Sequence, residues 1–124
     1  MGQKKSNPLH IEDKIRKRLS KRFGVELKNR KLADTFKHHF DMVSSDEKIV
    51  GEIKTNGPDK NTGKMRSAHE GAFAQDCLKL LGCKKAKKRY FILTNRRLYE
   101  AFKESQTGKC AARLGIIILN ERVN

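Results

Sequence analysis

The stretch His38–Thr55, HHFDMVSSDEKIVGEIKT, constrains this chain more than any other. Ser44, Ser45, Asp46 and Glu47 are turn formers between two strand-like runs, so the segment reads as a β-hairpin. With Val43 opposite Lys48, Asp41 lies opposite Val50 and diagonal to Glu52. Side chains alternate along a strand, so Asp41, Glu52 and Lys54 point to one face. Diagonal neighbours have Cα atoms about 7–8 Å apart, within reach of their side chains. A slip of one residue would move Asp41 to the other face. His39 shares the site face in this register, opposite Glu52. It fits either a phosphate- or water-positioning group or a bystander.

Two carboxylates and an ammonium on one patch have a specific chemistry. Hard oxygen ligands suit Mg²⁺, which keeps several waters and completes its shell with a substrate phosphate. Such an ion polarises a phosphoryl oxygen and acidifies a water, and a neighbouring lysine orients that water and stabilises developing charge. The spacing predicts phosphodiester hydrolysis on these grounds. The same residues also fit an exposed hairpin face with one ordinary salt bridge.

Asp41, a ten-residue gap and Glu52-Ile53-Lys54, with FD before the turn and GEIKT after it, resemble the PD-(D/E)XK nuclease signature. That superfamily includes type II restriction enzymes, Holliday junction resolvases and some homing endonucleases. Phe40 stands where the motif has proline, a position that drifts in the family. The resemblance implies an α/β, restriction-endonuclease-like fold, a mixed β-sheet flanked by helices with an αβββαβ core. It implies Asp41 and Glu52 as Mg²⁺ ligands, joined by the Ile53 carbonyl, with Mn²⁺ as the alternative ion, and Lys54 at the attacking water. It also implies an additional acid on the first helix, and Glu12 occupies that place.

The charge balance agrees with a nucleic-acid partner. The chain carries a formal net charge of +15, and 35% of its 124 residues are charged. An excess of this size points to a polyanion, with solubility alone as the bland alternative. No long apolar run suggests a membrane. Met1–Pro8 is polar and basic, unlike a signal peptide. Cys77, Cys83 and Cys110 are odd in number and lack paired metal spacing, so reduced thiols and a cytoplasmic location are expected, nucleoid-associated in a prokaryote.

Residues 1–8 read as a basic arm, 9–120 as one nuclease-like domain and 121–124 as a tail. Ile11, Ile15, Leu19 and Phe23 recur every four positions and predict a helix over Leu9–Phe23. Glu12 falls inside that apolar stripe, where it either serves the site or sits in an exposed first turn favoured by the helix dipole. Lys14 and Arg18 lie on the opposite, basic face. Gly24 ends the helix. Val25–Ala33 fits a loop or a short helical turn, and Asp34–Val43 leads into the first hairpin strand. Thr55–Met65 is a Gly/Pro loop, with Lys60 and Lys64 beside Arg66. Arg66–Leu81 is a second helix with Phe73, Ala74, Cys77, Leu80 and Leu81 inward, and with Glu70 and Arg66 near its start either as an ion pair, the favoured reading, or reaching toward the site. The run CKKAKKR supplies Lys84, Lys85, Lys87 and Lys88 ahead of a buried strand, Tyr90–Leu93. Thr94 or Asn95 caps the helix Arg96–Glu104, where Arg96 and Arg97 oppose the dipole unless they grip phosphate. Ser105–Lys109 reads as a loop and Leu114–Leu119 as a last strand. The stretch before Asp41 or the chain end must supply the remaining strand of the core.

The expectation is a metal-dependent endonuclease on duplex or branched DNA. Lys14, Arg18, Lys60, Lys64, Arg66, Lys84, Lys85, Lys87, Lys88, Arg96 and Arg97 would contact phosphate. One site cuts one strand, so double-strand cutting implies a homodimer. The rival readings are a Holliday junction resolvase, a non-catalytic basic nucleic-acid binder and an RNA- or ribosome-associated factor.

Overall fold

The computed structural model describes residues 7–33 and 37–123. The expected N-terminal arm therefore lies almost wholly outside the described residues, as do 34–36 and the last residue of the tail. The chain runs α1 (Pro8–Phe23), β1 (Leu27–Lys31), β2 (His39–Ser44), β3 (Ile49–Lys54), α2 (Ser67–Leu81), β4 (Lys88–Leu93), α3 (Arg96–Glu104), α4 (Gln106–Arg113) and β5 (Ile116–Asn120). The sheet has five strands in sequential order. The first three form an antiparallel meander; β4 lies parallel to β3, and β5 parallel to β4. The protein is thus mixed α/β, with helices on both faces of one mixed sheet.

The termini of the helices follow from local chemistry. Asn7 caps α1 by accepting the His10 N–H at 2.8 Å, Pro8 opens the helix, and Gly24 closes it at φ 71°. Asn95, one of the two expected caps, accepts the Leu98 N–H at 2.9 Å. The segment expected as a loop after α3 is instead the start of α4. Ser105 Oγ accepts the Gly108 N–H at 3.0 Å, so the serine that ends one helix caps the next. Val25–Ala33, which by sequence fits a loop or a helical turn, holds β1, and so the stretch before Asp41 supplies the remaining strand. The signal is weak because β1 is a short edge strand whose LKNRK sequence is mostly polar.

Two cores hold the layers. On one face, Phe73, Phe91 and Phe102 meet with ring centroids 5.0–5.6 Å apart, and Val50, Leu80 and Leu98 surround them. This core fastens α2, α3 and α4, the two crossover connections, to the sheet. On the other face, Ile15 and Leu19 of α1 pack on Met42, Ile53 and Ile92. Among the described residues no helix is long and apolar enough to cross a membrane.

Candidate functional site

The hairpin forms, with a register two residues from the expected one. Met42 pairs with Gly51 and Val43 with Val50, rather than Val43 with Lys48. A shift of two keeps every side chain on its expected face, and it brings Asp41 opposite Glu52 instead of diagonal to it. The turn keeps four residues but moves one along the chain, to Ser45–Lys48: Ser44 stays in the strand, and its hydroxyl accepts the Ile49 N–H at 3.0 Å.

A bulge then re-aims the first strand. Between the pairs Lys28–Val43 and Arg30–Phe40, Asn29 alone faces both Asp41 and Met42. Phe40 and Val43 consequently both enter the α2-side core, which strict alternation forbids. The bulge also decides which histidine reaches the site. His38, two residues from Phe40, turns toward Glu52, with Nε2 2.8 Å from Oε2. His39, expected opposite Glu52, is exposed and lies 3.2 Å from Asn29 Oδ1.

Asp41 and Glu52 are clamped to each other's strand. Asp41 Oδ2 accepts the Ile53 N–H at 2.8 Å, and Glu52 Oε1 accepts the Asp41 N–H at 3.2 Å. Ile53 thus enters the site through its amide, while its side chain is buried against α1. Arg16 of α1 donates to the Asp41 carbonyl at 2.7 Å, fixing α1 to the bulge. Glu12, one turn earlier, comes close enough to Asp41 and Lys54 for their charges to act on it. At the end of β3, Lys54 Nζ stands 2.5 Å from Asp76 Oδ2 on α2.

The electrostatics describe a cluster of acids pushed toward their neutral forms by burial. Burial pushes the Glu52 carboxyl up to about 8, and the neighbouring charge of Asp41 adds to the rise. Burial also raises Asp41, against the opposing hydrogen bond from Ile53. Glu12 is raised by burial and then by Asp41. Lys54 goes the other way. Burial works to lower it, but the hydrogen bond and charge of Asp76 prevail and hold the ammonium above the ordinary lysine value. His38 is lowered by burial and by Lys79, so the imidazole is neutral near pH 7. Cys77 is pushed up to about 12 by burial and is an inert core thiol.

Glu12, Asp41, Glu52 and Lys54 are therefore brought together as expected. Asp76 and His38 are additions. Asp76 had a legible signal, since it lies three residues after Phe73 and four before Leu80, on the inward stripe of α2. An acid at 8% exposure on that stripe needs a partner, and Lys54 is that partner. Arg66 pairs with Asp59 at 3.5 Å, in place of the expected Glu70.

The basic residues divide between two ends of the sheet. Lys54 pairs with Leu93 across the parallel strands, so Lys60, Lys64, Arg66, Arg96 and Arg97 leave from the site's end, and Arg97 lies against Gly63 of the loop. Lys84, Lys85, Lys87 and Lys88 belong to the other end, where the Lys87 and Lys88 N–H groups donate to the Lys48 carbonyl at 2.7 and 3.0 Å. Lys14 is exposed on α1. Arg18 spends its donors on Glu121 and on the carbonyls of Arg122 and Val123, tying down the chain end.

The donor set fits a hard divalent cation. Three carboxylates carry raised pKa values because burial disfavours their charged forms, and for Glu12 and Glu52 the neighbouring charge of Asp41 adds to the rise, so a bound cation would be needed to hold all three ionised. Compared with known proteins, the chain finds no significant match to a family model, a curated protein or a solved structure.

Proposed function

We propose that this protein is a metal-dependent endodeoxyribonuclease of the PD-(D/E)XK kind, with a restriction-endonuclease-like fold. The observation that carries the reading is the convergence of Asp41, Glu52 and a protonated Lys54 on one end of a hairpin, with Glu12 arriving from the first helix. The order helix, three antiparallel strands, helix, parallel strand supports it, being the αβββαβ layout of that core.

Asp41 and Glu52 would hold Mg²⁺, with the Ile53 carbonyl beside them and Glu12 as an outer acid. The bound ion supplies a polarised phosphoryl oxygen and a more acidic water. Asp41 is oriented for this by the Ile53 amide and Glu52 by the Asp41 amide, so both carboxylates are aimed before any ligand arrives. Lys54 works as a cation. It is held charged by Asp76, so it hydrogen-bonds the attacking water and offsets negative charge developing at phosphorus, and does not take the proton. Lys60, Lys64, Arg66, Arg96 and Arg97 line the same end and would grip the flanking phosphates. A single site cuts one strand, so a homodimer is the form that cuts two.

The test is cleavage of supercoiled plasmid, linear duplex and a four-way junction with Mg²⁺ and with EDTA. Cutting that requires the metal supports the reading, and the preferred substrate separates a duplex endonuclease from a junction resolvase. DNA binding without cutting on any of the three, indifferent to EDTA, would overturn it.

A further inference from the structure

Glu52 has two oxygens, and they face different surroundings. Oε1 faces Asp41, accepting its N–H at 3.2 Å. Oε2 faces His38, 2.8 Å from Nε2. Asp76 is the third member of this group: one ligand atom from each of His38, Glu52 and Asp76 falls within 4.8 Å of the other two. Three donors gathered this closely, one of them an imidazole nitrogen, can converge on a single ion.

The positions of the three side chains make the cluster usable. Glu52 and Asp76 are nearly inaccessible, with side-chain exposures of 3% and 12%, whereas His38 is 23% exposed and opens the cluster to solvent. An ion can enter past the imidazole and meet carboxylates already fixed in place. The Lys54 ammonium occupies Asp76 Oδ2 and leaves the second oxygen of that carboxylate. His38 is itself oriented by the edge of its ring against Phe40, with centroids 4.6 Å apart. Each donor thus sits on a different element: the approach to β2, β3 and α2.

We propose that Glu52 bridges two cation positions: an all-oxygen one on its Asp41 side, and a second formed by His38 Nε2, Glu52 Oε2 and Asp76 that takes a first-row divalent transition ion such as Mn²⁺. The inference deepens the nuclease reading and shares Glu52 with it. The donor chemistry sets the selectivity. Mg²⁺ prefers oxygen donors and keeps several waters, which suits the Asp41 side. A nitrogen donor shifts preference toward transition ions, which suits the His38 side. Two ions about 3.5–4 Å apart on a shared carboxylate are a recurring arrangement for clamping the attacking and leaving oxygens of a phosphodiester.

The experiment is Mn²⁺ titration of the metal-free protein, read by electron paramagnetic resonance, with electron spin-echo modulation to detect a directly bound imidazole nitrogen. The expected result is two Mn²⁺ per chain, of which excess Mg²⁺ displaces one. The ion that remains shows nitrogen coupling. His38→Phe, which keeps a ring against Phe40, abolishes the coupling and that site, and His38→Ala does the same. Asp76→Asn weakens it at least about tenfold, as even the loss of an outer-shell partner does. Asp41→Asn removes the other ion. Circular dichroism confirms that each variant is folded. A single Mn²⁺ lost in Asp41→Asn and free of nitrogen coupling would overturn the second position while leaving the nuclease reading intact. Nitrogen coupling that persists in both His38 variants would also overturn it. Coupling that depends on His38 when Asp41→Asn changes nothing would leave the His38 position standing but overturn the bridging by Glu52, and with it the proposed Mg²⁺ ligand pair.

Discussion

Lys54 and Asp76 form an ion pair at 2.5 Å that joins the end of β3 to the middle of α2. The pair explains how an ammonium can sit among buried groups and remain charged, which is what a charge-stabilising role requires. Lys54→Ala should lower single-turnover cleavage about 10²–10³-fold, the usual loss when a group aimed at developing charge is removed. It should also leave Asp76 as a buried carboxylate without its cation, lowering stability by about 1–3 kcal/mol. The double variant Lys54→Ala/Asp76→Asn should recover part of that stability and none of the activity. Denaturant unfolding of the two singles and the double measures the coupling. Additive effects would mean that the pair does not hold Lys54.

The pH dependence of folding should carry the signature of Glu52. Its folded carboxyl keeps a proton up to about 8, while the unfolded chain releases it near 4.5. Between these values the native state binds more protons, so stability falls as pH rises through the window. Asp41, also raised, acts in the same direction. The melting temperature in EDTA should therefore drop between about pH 5 and about pH 8. Glu52→Gln should flatten the drop. Added Mg²⁺ binds the ionised form, so the stabilisation it gives should be larger at the alkaline end.

The division of the basic residues predicts a division of their effects. Arg96→Ala/Arg97→Ala lies at the site's end of the sheet and should lower both DNA affinity and the cleavage rate of bound DNA. Lys84→Ala/Lys85→Ala lies about 16 Å away along β3, by strand rise, and should weaken binding without slowing the bound complex. In both cases the slope of log affinity against log salt should become shallower by about 0.9 for each phosphate that the variant no longer neutralises. Filter binding across a salt series, beside single-turnover rates, separates the two.

Gly108 is a structural test of the α3–α4 corner. A Cβ there would collide with the backbone carbonyl of Phe102, which no rotamer change relieves. Gly108→Ala should cost about 2–3 kcal/mol or more in chemical denaturation, the upper range for overpacking. A neutral substitution would mean that Ser105 does not cap α4 in this way.

Much of the site was legible because its chemistry is local. Asp41, Glu52 and Lys54 sit on one hairpin, so alternation alone places them together, and even a register wrong by two residues preserves the faces. Glu12 was legible as an acid on an apolar stripe. The histidines were not, because a bulge between Phe40 and Val43 exchanges the roles of His38 and His39, and it leaves no mark in the hydrophobic pattern. Asp76 required a distant partner to make sense of it. Its stripe position was readable, but its pairing with Lys54 joins two elements that only the tertiary fold brings together. The strand β1 was hidden for a similar reason, since an edge strand with one buried residue at its start and charged neighbours has no period-two signal. The capping of α4 by Ser105 was hidden by Gly108, which reads as a loop residue and is instead the small residue that a close helix–helix corner needs.

The central claim is that Asp41 serves catalysis and not DNA binding. Its most direct test is Asp41→Asn, with plasmid cleavage in Mg²⁺ and DNA affinity measured on the same preparation. The account predicts cleavage reduced to background with affinity equal to or tighter than that of the unaltered protein, since a negative charge has been removed from the interface. Cleavage at an unaltered rate, with full affinity, would contradict it.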